Sequence, residues 1–159
     1  MNNNLLSYVN IIKASTARIT GATTIHSKAV DMAGFEGCLF VLVGSTLLMG
    51  TSGSTAGVKK VQLYVKGSTA SAGTFARYTG FAGSSSGLAA GVNNRVLMVD
   101  CYRPEKRYLK ACVKGASSAN SQIDCIMAIQ YSGKRPGSSA LQNSTTVVGS
   151  TVMVSPSTP

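Results

Sequence analysis

The chain has 159 residues, enough for one domain with a single core, and carries 15 Lys and Arg against 5 Asp and Glu, a net charge of +10 that attracts polyanions or acidic protein surfaces. Hydrophobic residues at 44% exclude disorder throughout, and charged residues at 13%, about half the usual share, leave Gly, Ser, Thr, Ala and Val to write strands and turns. Five carboxylates and one histidine are poor material for acid–base catalysis, which needs paired groups with separated pKa values.

Residues 1–15 place Leu5, Leu6, Val9 and Ile12 at roughly helical spacing. That reads as a short amphipathic helix or as an ordered arm, assigned to residues 1–17, lying on the body or reaching a neighbouring subunit. Strand signals begin near Arg18, and residues 24–30 read as a strand near an edge. Gly34 and Gly37 bracket a turn holding Phe35 and Glu36. Residues 38–43, Cys38 to Val43, are apolar on both alternating faces, as in a central strand covered on both sides.

Glycines at 44, 50, 53 and 57 mark residues 44–57 as a turn or long loop. They do not form a phosphate loop, because Val58 stands between Gly57 and Lys59. Residues 58–66 alternate, with Val61, Leu63 and Val65 on one face and Gln62, Tyr64 and Lys66 on the other, a half-exposed strand. The Gly/Ser/Ala-rich stretch 67–91 is too long for a structureless loop and is expected to hold an irregular strand near 74–79.

Residues 95–102 are apolar on both faces, and Arg103-Pro104-Glu105 makes a turn. Residues 106–114 alternate again: Leu109, Ala111 and Val113 against Tyr108, Lys110, Cys112 and Lys114. After a turn of small residues at 115–121, residues 123–131 read as a buried strand. Lys134, Arg135 and Pro136 break the pattern, and a further strand is expected at 145–154 within a C-terminal segment 138–159. Residues 18–137 are therefore expected to form one all-β, antiparallel sandwich or barrel.

Cys38, Cys101, Cys112 and Cys125 sit among apolar strand residues, form no C-x-x-C pair and read as core thiols. With His26 the sole histidine, no metal or other cofactor is expected. Absence of a basic stretch followed by a long apolar run leads to the expectation of synthesis in the cytoplasm, without membrane insertion. Asp100 and Asp124 are acids within apolar strands; Arg103 and Arg107 are their expected partners, a structural role weighed above a glycosidase-like pairing of the two carboxylates. Lys106, Arg107, Lys110 and Lys114 near Tyr102 and Tyr108 admit a single-strand nucleic-acid reading, ranked behind solvated or protein-docking charge.

Three blocks stand in order: Val30-Asp31-Met32-Ala33-Gly34-Phe35-Glu36-Gly37-Cys38-Leu39-Phe40-Val41; Val99-Asp100-Cys101-Tyr102-Arg103-Pro104-Glu105-Lys106-Arg107-Tyr108-Leu109-Lys110; and Asp124-Cys125-Ile126-Met127-Ala128-Ile129-Gln130-Tyr131-Ser132-Gly133. Across most of residues 28–136 the chain resembles the small cement, or decoration, proteins of tailed-phage capsids. It departs from them in its long Gly/Ser/Ala-rich middle and basic surface, where relatives carry Asp-rich loops. The resemblance implies a jelly-roll sandwich that binds the outside of an icosahedral phage head as a homo-oligomer, a dimer or trimer. It also implies the major capsid protein as partner, no catalysis and no small-molecule substrate. Contact residues are expected at Arg103, Lys106, Arg107, Lys134 and Arg135, with Asp31, Gly34, Phe35, Phe40, Asp100, Tyr102, Pro104, Tyr108 and Asp124 structural. A head-fibre base, tail or adaptor component is the alternative within the virion, and a basic nucleic-acid-binding protein the alternative outside it.

Overall fold

The computed structural model describes residues 10–20, 23–47, 61–84, 92–115 and 120–132. These form an all-β antiparallel sandwich. In chain order the strands are β1 (Asn10–Thr20), β2 (Thr24–His26), β3 (Val30–Asp31), β4 (Gly37–Leu47), β5 (Gln62–Ser68), β6 (Ala76–Ser84), β7 (Val92–Tyr102), β8 (Tyr108–Lys114) and β9 (Asn120–Tyr131). The first sheet has the order β1-β9-β4-β7; the second has β2-β8-β5-β6, with β3 also pairing β8.

Alternation decides which side chains meet between the sheets. Cys38, Phe40 and Leu42 of β4, Val99 and Cys101 of β7, and Ile123, Ile126 and Ala128 of β9 form one inner face. Leu63 and Val65 of β5, with Leu109, Ala111 and Val113 of β8, form the other, and Val30, Met32 and Val61 complete the core. Phe40, Leu42, Leu63 and Leu109 are fully buried. Burying a side chain of this kind contributes roughly 1.5–3 kcal/mol, so the contact between the faces is the main source of stability.

Several boundaries differ from the sequence reading. β1 takes in residues 10–17, so this part of the expected arm is a strand paired with β9 and not a helix; Ile12 lies opposite Ala128. β4 runs through Gly44 to Leu47, where a turn was expected. Its register against β9 shifts between Val43 and Thr46, so Gly44 marks an irregularity inside a strand and not its end. β6 occupies residues 76–84, later and longer than expected, and β9 begins at Asn120, inside the expected turn. Tyr64 is buried although its face of β5 was read as exposed, whereas Val96 and Met98 of β7 are 49% and 60% exposed. The glycines at 50, 53 and 57, Leu5, Leu6 and Val9, and the expected strand at 145–154 lie outside the described residues.

Buried polar groups complete the framework. The Ser27 hydroxyl accepts the Ala111 N–H at 3.0 Å, and the Ser27 N–H donates to the Ala111 carbonyl at 2.8 Å. This carries pairing with β8 across the gap between β2 and β3. The buried Gln130 amide donates to the Asp31 carbonyl at 2.6 Å, tying β9 of one sheet to β3 of the other.

Candidate functional site

Two loops meet at one end of the sandwich: residues 32–36 between β3 and β4, and residues 103–107 between β7 and β8. The first is shaped by the Asp31 carboxylate, which accepts the Ala33 N–H at 3.0 Å, and by the Phe35 N–H donating to the Met32 carbonyl at 3.0 Å. Gly34 takes φ +87°, a left-handed conformation that a glycine adopts without strain. Phe35 packs on the core. In the second loop Arg103 has φ +47°, held by its N–H donating to the Glu36 carbonyl at 2.7 Å. The Lys106 N–H donates to the Tyr78 hydroxyl at 2.9 Å.

Between the loops lies a cleft of about 430 Å³, lined by Met32, Ala33, Phe35 and Glu36 on one side and by residues 103–107 on the other. Arg103, Lys106 and Arg107, expected as contact residues, therefore share one wall with Pro104. Two of these cations have acidic partners. Arg107 donates from Nε and Nη2 to the two Asp31 oxygens, both at 2.8 Å, and this bond, reinforced by the Ala33 N–H, holds the Asp31 carboxyl below its usual range. Arg103 Nη2 lies 3.9 Å from Glu36.

The expected pairing of these arginines with Asp100 and Asp124 is corrected by these contacts. Asp100 accepts from the Tyr131 hydroxyl at 2.7 Å and Asp124 from the Ser45 hydroxyl at 3.1 Å. Both acids face outward on the first sheet and are exposed, so neither carries the desolvation cost that the sequence reading assigned to a strand acid. They do not form a catalytic-type pair either. Asp100 stands opposite Leu39 and Asp124 beside the irregularity after Val43, four residues further along β4, or roughly 13 Å at the rise of a strand. Lys134 and Arg135 lie outside the described residues.

The broad outer faces of the two sheets differ in chemistry. On the first, cross-strand register sets Val96, Val43 and Cys125 in one row and Met98, Val41 and Met127 in the next. Leu39 and Ile129 follow, beside Asp100. On the second, Lys110 of β8 lies opposite Lys66 of β5, Lys66 opposite Arg77 of β6, and Gln62 opposite Lys114. Among the described side chains, three aromatic rings of this face lie beneath cations: Arg77 is 4.3 Å from the Tyr64 ring centroid, Lys110 4.1 Å from that of Phe75 and Arg107 5.2 Å from that of Tyr108.

One arrangement escaped the sequence reading: His26 Nδ1 and Cys112 Sγ lie 3.0 Å apart, on register partners of β2 and β8. A cysteine–histidine pair invites a nucleophile reading, but burial pushes the Cys112 thiol pKa up, against the opposing pull of Lys66, Lys110 and Arg77. Burial lowers the His26 pKa, with further lowering by Lys66 and Lys110. A buried thiol with a raised pKa is inert, a packing group. Cys38 and Cys101, opposite each other on β4 and β7, are buried too; burial followed by the charge of Asp100 pushes Cys101 up to about 12. No group of three or more potential metal-ligating side chains occurs among the described residues.

Comparison of this chain with models of known protein families and with curated proteins finds no match.

Proposed function

We propose that this chain is a structural adhesion protein, a cement or decoration protein that binds the outer surface of an icosahedral phage capsid and stabilises contacts between capsomers. What carries the reading is the contrast between the two outer faces, one apolar and one cationic, on a body whose Asp31, Asp100 and Asp124 are engaged in structural hydrogen bonds. Exposed apolar residues grouped in register, as Val96 and Met98 are beside Val41 and Met127, mark a contact surface. On this reading that face packs against further copies of the chain, making the homo-oligomer. The strand orders β1-β9-β4-β7 and β2-β8-β5-β6 support a jelly-roll, because successive strands pass from one sheet to the other except at β2–β3 and β5–β6. The three sequence blocks that resemble capsid cement proteins fall on the β3–β4 segment, the β7–β8 connection between the two sheets and β9, all parts of the same folded unit.

Such binding gains from avidity, because a modest contact repeats over a symmetric lattice. The major capsid protein is the partner, and the virion exterior is the location. Counting copies per purified particle tests this: hundreds fit a coat, whereas a few fit a head-fibre base, tail or adaptor component and overturn the coat.

A further inference from the structure

Among the described residues, the two arginines of the loop cleft have counter-charges that the cations of the second sheet lack. Arg107 and Arg103 face Asp31 and Glu36. Lys66, Arg77, Lys110 and Lys114 make no ion pair among the described residues. Asp31, at the end of this face opposite Tyr108, is already gripped by Arg107.

Register makes the isolation sharper. Lys110, Lys66 and Arg77 occupy one row across three adjacent strands, at a strand spacing of about 4.8 Å. Like charges directly opposite each other destabilise a sheet. Aromatic rings hold the two outer cations in place without neutralising them: Tyr64 lies under Arg77 and Phe75 under Lys110. The row is thus held at both ends and still charged, a feature that favours an incoming anion.

We propose that the Lys110–Lys66–Arg77 row is a docking site for a carboxylate-rich protein surface. It deepens the adhesive reading and rests on it for the identity of the partner, moving the main electrostatic contact from the loop cleft to the sheet face. Sheets that bind single-stranded nucleic acid offer open aromatic faces on which bases stack. Here Tyr64 is only 7% exposed and the three rings are lidded by cations, so among the described residues this face offers charge but no open ring for stacking.

The test uses the full chain, with fluorescent poly-L-glutamate and an oligothymidylate of equal charge as probes in low-salt anisotropy titrations. Replacing Lys66→Gln and Lys110→Gln together should weaken poly-L-glutamate binding about tenfold. Arg103→Gln in the cleft, where Glu36 supplies the counter-charge, should leave it nearly unchanged. The sheet variant also relieves like-charge opposition, so it should melt no lower than the parent, which separates lost docking from lost folding. Unchanged poly-L-glutamate binding in the folded sheet variant overturns the site, as does tighter binding of oligothymidylate through the same row. If poly-L-glutamate binding depends on the row but particles carry only a few copies, the site stands and the capsid-coat reading fails.

Discussion

The ring of Tyr131 on β9 lies across Gly37 on β4, its register partner, in the space a Cβ atom would occupy, while the Tyr131 hydroxyl donates to Asp100 of β7 at 2.7 Å. One phenol thus spans three strands of the first sheet. Its own ionisation is disfavoured by burial and by the Asp100 carboxylate, both of which push its pKa up. Gly37→Ala forces the ring aside and breaks its bond to Asp100, at an expected cost of about 1–3 kcal/mol. A denaturant titration reads this directly; an unchanged midpoint contradicts the close approach.

The Asp31–Arg107 pair gives a pH dependence with a fixed sign. The folded-state pKa of Asp31 lies below its unfolded value. Its stabilisation is therefore complete above the ordinary carboxylate range and is lost as pH falls through the folded pKa. Both side chains are exposed, 56% for Arg107 and 42% for Asp31, so screening by solvent keeps the effect small. Asp31→Asn should lower stability at neutral pH and converge with the parent in acid. Denaturant midpoints between neutral pH and acid measure the convergence.

His26 reports the field of the basic face. Its pKa is lowered, first by burial and then by Lys66 and Lys110. The unfolded chain therefore takes up this proton at higher pH than the folded chain does, so stability falls as pH drops through the ordinary histidine range. Lys66→Gln should raise the His26 pKa toward its ordinary value, and added salt should do the same in the parent. An NMR titration of the single imidazole reads both shifts; insensitivity to Lys66 removes the field argument.

Thiol reactivity separates core from surface. Cys38, Cys101 and Cys112 are buried, and burial is the first cause raising each pKa. Cys125, half-buried on the outer face of the first sheet, should react first with a thiol reagent, the other three only on unfolding. Reaction of all four at one rate in the native protein contradicts this burial. Removing the fully buried Phe40 ring, Phe40→Ala, should cost about 3–5 kcal/mol and make all four more reactive.

Strand identity was legible wherever period-two alternation ran without interruption, as at Leu63 and Val65 or at Leu109, Ala111 and Val113. It failed at Gly44, because a glycine inside a bulged strand and a glycine in a turn look alike in sequence. Loop chemistry was legible locally: Gly34 and Pro104 mark the turns they make. Pairing was not. Asp31 and Arg107 are 76 positions apart, and only the β3–β8 register brings them together, whereas sequence proximity points the arginines to nearer acids. Likewise Tyr64 and Lys66 on one strand, and Tyr108, Lys110 and Lys114 on another, could each be put on one face. That Lys66 meets both Lys110 and Arg77 depends on strand neighbours that no local pattern encodes.

Electron microscopy of particles stripped of this protein and then incubated with it, at low and high salt, tests the adhesive function most directly. Symmetric density at repeated positions between capsomers, in hundreds of copies and diminished by salt, is the expected result. Density at a single vertex, or none at either salt concentration, contradicts it.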